Sequence, residues 1–280
     1  MVCEINMLLE KINEKIFRES LEKVIEPSDR VIVLYSGIWT FAHNINFKKN
    51  IPQTMLSILE KFVTKKRTLI MPAFSDQCVI KNNFFDIKRS IDNIGVLPKE
   101  ALKKNTYYRT LQPLHSYLVL GKDVKKIKNL KLKTSWGKTS IFDFISKTNA
   151  RICNLGLEWN KGCSYLHRYE ELTKVPWRYF KKFRFKTFEN GKYQDFCEEV
   201  KYSAPNSGML KYDYKKFIPL IKKQKSFLKF RSNLMKFESI KANDIDKISK
   251  VFFKNRPFDI IINKKEVLNW IKNKKNLKKI

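Results

Sequence analysis

The sequence predicts an α/β layered fold. Short runs made wholly of apolar residues, each about one strand long, alternate with stretches whose apolar residues recur at three- and four-residue steps. Of the 280 residues 43% are apolar, enough for a large core, and no internal repeat or low-complexity linker divides the chain. The expected organisation is one domain over 1–280, with the region around 178–238 as a candidate small lobe.

Ile5, Leu8, Leu9, Ile12, Ile16 and Val24 recur at helical spacing, so residues 4–25 are expected to form an amphipathic helix ended by Pro27-Ser28-Asp29. The run from Val31 to Tyr35 follows as a buried strand. Pro52 suits the first turn of a second helix, in which Met55, Ile58, Leu59, Phe62 and Val63 share a face and Lys65-Lys66-Arg67 complements the C-terminal dipole. Further strands are expected from Thr68 to Phe74, Tyr117 to Leu120 and Ile152 to Gly156. Helices are expected around Ile141 to Ile145 and from Tyr165 to Val175, before Pro176. Alternation then replaces helical spacing between 178 and 200, and Glu189-Asn190-Gly191 marks a hairpin turn. Beyond it, 213–228, 244–253 and 264–275 read as helical and Phe258 to Ile262 as a late strand. Loops at 75–97 and 103–116 are long enough to be functional.

The 58 basic residues exceed the 27 acidic ones by a formal charge of +31, which predicts attraction to phosphorylated ligands or an anionic membrane surface. Only 11 of the 58 are arginine, the usage that an AT-rich genome would produce. No recognised nucleic-acid motif accompanies the charge, so no specific nucleic-acid partner is expected. Cys3, Cys78, Cys153, Cys163 and Cys197 are scattered and odd in number, which suggests free thiols rather than a disulfide framework or a zinc site. The N-terminus has no leader pattern and the apolar runs are too short to cross a bilayer. A cytoplasmic protein is expected, with the basic face as a possible peripheral contact to the inner side of the membrane.

The chain has three histidines, His43, His115 and His167. His167 lies in Ser164-Tyr165-Leu166-His167-Arg168-Tyr169-Glu170-Glu171, where Ser164 is a plausible N-cap and the imidazole falls in the first helical turn. Glu170, three residues on, shares its face and can orient the ring or hold its proton, as a general base requires. Taken alone this spacing also fits an ordinary solvated pair, and Arg168 and Glu171 repeat it one step along. Cys163 invites a thiol-nucleophile reading, but a structural thiol is the simpler one. His43 reads as a loop residue.

Several blocks, in order, resemble the aminoglycoside 3-N-acetyltransferase family. Ser164-Tyr165-Leu166-His167-Arg168-Tyr169-Glu170 and Val175-Pro176-Trp177-Arg178 are similar to its T-x-x-H-x-x-E and V-P-Y-R. Gly95-Val96-Leu97 and Arg109-Thr110-Leu111-Gln112-Pro113-Leu114-His115-Ser116 are similar to its G-x-L and R-S/T-x-H-P-x-H-S. Tyr35-Ser36-Gly37, Thr68 to Phe74, and Trp136-Gly137-Lys138-Thr139-Ser140 resemble further segments. The likeness spans roughly 25–190, with departures at Gln112, Tyr35, Gly37, Arg67 and Ser164.

What the resemblance implies is a three-layer α/β/α sandwich with a central mixed sheet and a β-hairpin insertion. It also implies acetyl-CoA as acyl donor and direct transfer to an amine, without metal. It would make His167 the general base and Glu170 its acidic partner or a contact to the substrate amine. Ser36, Gly37, Met71, Pro72, His115, Ser116 and Tyr117 would bind the coenzyme. The expected acceptor is an amino sugar, phosphorylated or nucleotide-linked, in surface glycan biosynthesis. Aminoglycoside resistance is the alternative, disfavoured by the positive charge of the chain. A basic membrane- or nucleic-acid-binding protein is the third.

Overall fold

The computed structural model describes residues 11–63, 66–92, 95–162, 164–203 and 210–277. Its centre is a seven-stranded mixed sheet in the order β4-β5-β2-β1-β6-β10-β9. The strands are β1 (Val31–Ser36), β2 (Thr68–Pro72), β4 (Tyr108–Arg109), β5 (Tyr117–Gly121), β6 (Arg151–Leu155), β9 (Leu228–Arg231) and β10 (Lys236–Lys241). β1 runs parallel to β2 and β6, and the outer pairings are antiparallel. A second sheet holds β3 (Phe84–Asp86), β7 (Arg178–Glu189) and β8 (Lys192–Ser203).

The continuous apolar runs in β1, β2 and β6 are explained by cores on both faces of the large sheet. Val33, Ile70, Ile152 and Ile240 face one core, roofed by α6 (Ile141–Lys147), α8 (His167–Leu172) and α10 (Ala242–Asn255). Ile32, Leu69, Cys153 and Phe237 face the other, roofed by α1 (Glu14–Glu22), α2 (Ile51–Val63) and α4 (Val96–Leu102). Each such side chain contributes about 1.5–3 kcal/mol on burial, so the sheet is clamped from both sides. The result is the expected α/β/α layering with a hairpin insertion.

The hairpin keeps an unbroken register from Arg178↔Ser203 to Glu189↔Lys192. Its two-residue turn places Asn190 at φ 51° and Gly191 at φ 79°, the left-handed pair that a primed turn requires. Within 178–238, the hairpin lies in the small sheet and residues 228–231 lie in the large one.

Four local expectations are corrected. Residues 1–10 of the first expected helix lie outside the described residues, and the rest is helical only over Glu14–Glu22. Ile12 instead bridges Ile45, and Asn13 caps the helix by accepting from the Ile16 N–H at 3.0 Å. The region 213–228 is helical only over α9 (Ile218–Lys222). Phe258 to Ile262 is no strand, because Pro257 opens a 3-10 turn there and only Ile261 pairs, in a single bridge with Tyr212. The helix expected from Tyr165 to Val175 is α-helical only over α8, because a 3-10 turn occupies Ser164–Leu166 and α8 ends at Leu172; a separate short helix, α7 (Trp159–Gly162), precedes them. The loop at 75–97 carries α3 (Asp76–Asn82), β3 and the start of α4. The last two helices are α5 (Val124–Lys128) and α11 (Lys264–Leu277), and no helix among the described residues is long and apolar enough to cross a membrane.

Candidate active site

His167 opens α8, one turn before Glu170, so both project toward the same end of the sheet. The imidazole is a quarter exposed and the carboxylate wholly buried, with His167 Nδ1 2.7 Å from Glu170 Oε1. The other carboxylate oxygen accepts from three donors: Arg178 Nε at 2.6 Å, Tyr212 Oη at 2.8 Å and Trp177 Nε1 at 3.1 Å. Four donors saturate the lone pairs of one carboxylate.

Burial by itself would raise the Glu170 carboxyl, but the buried Arg178 guanidinium and His167 outweigh it and hold the group well below the usual carboxylate range. The reciprocal effect holds Arg178 above its ordinary value, although burial opposes it. An ionised carboxylate 2.7 Å away favours the proton on Nδ1, which leaves Nε2 as the free acceptor. Arg178 Nη2 also approaches Nδ1, at 3.1 Å, but a protonated Nδ1 cannot accept from it.

Ser164 is not the helix cap. Leu166 occupies that position without a side-chain bond, and the Ser164 hydroxyl lies 3.0 Å from Tyr35 Oη. Nor do Arg168 and Glu171 form a solvated pair: both are buried, and Arg168 reaches the Gly137 carbonyl at 3.1 Å and Asp143 at 3.0 Å. Cys163 falls outside the described residues.

His167 stands in the wall of a cavity of about 840 Å³ at the ends of β1 and β2. Ser36, Pro72, Trp39, Ser164 and Tyr212 are also in that wall, so the structure brings Ser36 and Pro72 together with His167. Gly37 lies just behind, where an added Cβ would meet Leu157 Cδ2 at 2.5 Å. Met71, Ser116 and Tyr117 are not in the wall of this cavity. The strand pleat turns Met71 and Tyr117 into the two cores, and Ser116 donates to the Ala73 carbonyl at 2.5 Å while accepting from Arg109 at 2.9 Å. His115 is separated from the cavity by the Phe74 ring, 5.1 Å away between centroids, and packs on Trp136 at 4.2 Å. His43, in a short turn, is not part of the wall.

The wall fits an acyl-carrying pantetheine arm. It is largely apolar, and two of its residues carry buried, unpartnered polar atoms: Trp159 Nε1, a donor, and Asn160 Oδ1, an acceptor. One donor and one acceptor are what an amide group needs. Among the described residues no cluster of three His, Cys, Asp or Glu could hold a metal.

Three parts of the site were not singled out from sequence: Arg178, Tyr212 and Trp136. Arg178 and Trp177 stand in the V-P-W-R block and Trp136 heads the W-G-K-T-S block, so their place in shared segments was the available signal. Tyr212 lies 42 residues from Glu170 in the chain, and no local pattern marks it.

A histidine tied to a buried carboxylate, beside an apolar cavity at the end of a mixed sheet, is an arrangement suited to general-base group transfer. The sequence profile of the aminoglycoside 3-N-acetyltransferase family matches residues 42–248, and the chain belongs to that family. Acetyl-CoA is its acyl donor. By sequence, no curated protein matches the chain. The fold is similar to that of AAC-IIIb in binary complex with CoASH (15% identity, TM-score 0.71, 88% of this chain and 97% of that one). It is similar also to AAC-VIa bound to sisomicin (13% identity, TM-score 0.70, 88% and 99%). A third likeness is to the YokD protein from Bacillus subtilis (12% identity, TM-score 0.70, 88% and 95%). At these identities the likeness is one of fold.

Proposed function

We propose that the chain transfers acetyl from acetyl-CoA to an amine of an aminoglycoside-type amino sugar, with His167 as general base. The observation that carries this reading is the His167–Glu170 pair: Nδ1 is engaged by the carboxylate and Nε2 is left for the cavity. An attacking amine must lose a proton, and Nε2 is placed to take it while Glu170 stabilises the imidazolium that results. The saturation of Glu170 by four donors favours its role as the partner of His167 over that of a contact to a substrate ammonium. Ser36 and Pro72, with the amide-matching Trp159 and Asn160, would hold the acyl carrier. Ser164 and Tyr35 lie in the same wall with their hydroxyls 3.0 Å apart, so one donates to the other and the pair would offer one O–H to charge developing on the acyl oxygen.

Family membership and the sisomicin-bound neighbour move the aminoglycoside acceptor ahead of the glycan precursor favoured by charge alone. The second reading keeps one specific support. Among the described residues no carboxylate lines the cavity, and the chain carries +31, so a phosphorylated or nucleotide-linked amino sugar would be drawn in and a polycation repelled at long range. Peripheral contact with an anionic membrane rests on the same charge. A thiol-release assay with acetyl-CoA against aminoglycosides and nucleotide-linked amino sugars decides between them. Turnover confined to the aminoglycosides is expected, and faster turnover of the phosphorylated acceptors, weakened by salt, would reverse the order.

A further inference from the structure

A second histidine–carboxylate system lies on the other side of Trp136. The Trp136 ring centroid is 4.2 Å from that of His115 and 5.5 Å from that of His167. His115 Nδ1 is 2.8 Å from Ser135 Oγ, and the Ser135 hydroxyl donates to Glu198 Oε1 at 2.7 Å. The Leu114 N–H donates to Glu198 Oε2 at 2.9 Å. Glu198 reaches in from β8 of the small sheet and is wholly buried, so three separate segments, at 114–115, 135 and 198, meet in one hydrogen-bonded chain. His115 remains partly accessible.

The charged groups around this chain are few. Asp76 of α3 faces Glu198, and His167 and Arg178 face His115. No lysine or arginine pairs with Glu198 among the described residues. Burial, with a contribution from Asp76, pushes the Glu198 carboxyl up to about 7 against the two bonds it accepts. Burial, with the charges of His167 and Arg178, pushes the His115 imidazole down to about 3. At neutral pH the ring is therefore neutral and holds one proton, on one of its two nitrogens.

We propose that Glu198 is a positioning residue which, through Ser135, selects the ring nitrogen of His115 that carries the proton. When Glu198 is ionised, the Ser135 hydroxyl must donate to it, so Ser135 Oγ accepts from a protonated Nδ1 and Nε2 presents a lone pair. When Glu198 is protonated, its O–H donates to Ser135 Oγ, the hydroxyl donates to a bare Nδ1, and Nε2 carries the proton. The exchange balances. One proton enters at Nε2, the Nδ1 proton passes to Ser135, and the Ser135 proton passes to Glu198, so His115 stays neutral throughout. On the reading that His167 is the base, His115 then offers an N–H donor across Trp136 from it in the second state and only an acceptor in the first.

The test is nitrogen NMR of protein labelled at its three histidines, titrated between about pH 5.5 and 8.5. In the wild type, the protonated nitrogen of His115 is expected to change from Nε2 to Nδ1 as pH rises, with a midpoint near 7. Glu198→Gln, whose amide can donate to Ser135 while its carbonyl accepts from Leu114, should hold the Nε2–H form across the range. Ser135→Ala should abolish the response of the ring. A wild-type His115 with the same tautomer at both ends of the titration would overturn the proposal, as would a Glu198→Gln variant that still switches. The readout does not depend on turnover, so an active His167→Ala variant would end the assignment of the base and leave this inference standing.

Discussion

Glu170 and Glu198 are both wholly buried and both linked to a histidine beside the same indole, yet they are displaced in opposite directions. Burial raises each. The leading difference is a cation: Arg178 sits 2.6 Å from Glu170 and acts with His167, whereas among the described residues Glu198 accepts from a hydroxyl and a backbone N–H and faces Asp76. A buried carboxylate near a guanidinium stays ionised and can support a base, while one held by neutral donors is poised to change state near neutrality. Two similar constellations a few ångströms apart can thus serve opposite ends of proton traffic.

The largest expected effect is on the first constellation. His167→Ala should lower turnover by about a hundred- to ten-thousand-fold with coenzyme binding retained. Raising the pH should restore part of the rate, because the acceptor amine then loses its proton unaided; wild-type turnover at neutral pH would refute the base. Glu170→Gln should act in the same direction more mildly.

Arg178→Met tests the cation itself. Removing one partner of a buried pair should cost about 3–5 kcal/mol in urea unfolding. The deficit should shrink in acid. Wild-type Glu170, depressed when folded, contributes stability above its unfolded value that is lost as pH falls, whereas in the variant burial raises Glu170, so stability is lost as pH rises. A deficit that is unchanged by pH would show that Arg178 matters only for packing.

Glu198→Gln should do the reverse. A carboxyl raised from 4.5 to about 7 contributes stability that is present below 4.5 and lost as pH rises through 7. The wild type should therefore lose about 3 kcal/mol across that window relative to the glutamine variant. Parallel stability curves for the two proteins would contradict the raised value. The smallest effect is reserved for Tyr212→Phe, which removes one of four donors from Glu170 and should cost about 1.5 kcal/mol by thermal unfolding.

The parts legible in the sequence were those written in neighbouring residues. The runs at Val31, Thr68, Tyr117 and Ile152 are strands, and the spacing of His167 and Glu170 puts them in contact because one helical turn joins them. Asn190-Gly191 marks its own turn for a similar reason, since those residue types tolerate the left-handed backbone. Family blocks extended this reading to residues that spacing alone left ambiguous. Leu228, the last residue of the stretch read as helical over 213–228, instead opens the strand Leu228–Arg231, which forms by pairing with Lys236–Lys241 at the sheet edge.

The sequence by itself therefore determined the layered class and the central strands, consequences of local sterics and hydrophobic period, while the His167–Glu170 pair was singled out through the family blocks around it. Tertiary structure alone decided which carboxylate meets a cation. It carried Tyr212 to Glu170 across 42 residues and Glu198 to Ser135 across 63, and it turned Met71 and Tyr117 from a shared strand end into separate cores. Those contacts set the two proton affinities because electrostatic energy in a buried site depends on distance through space, which the order of residues does not state.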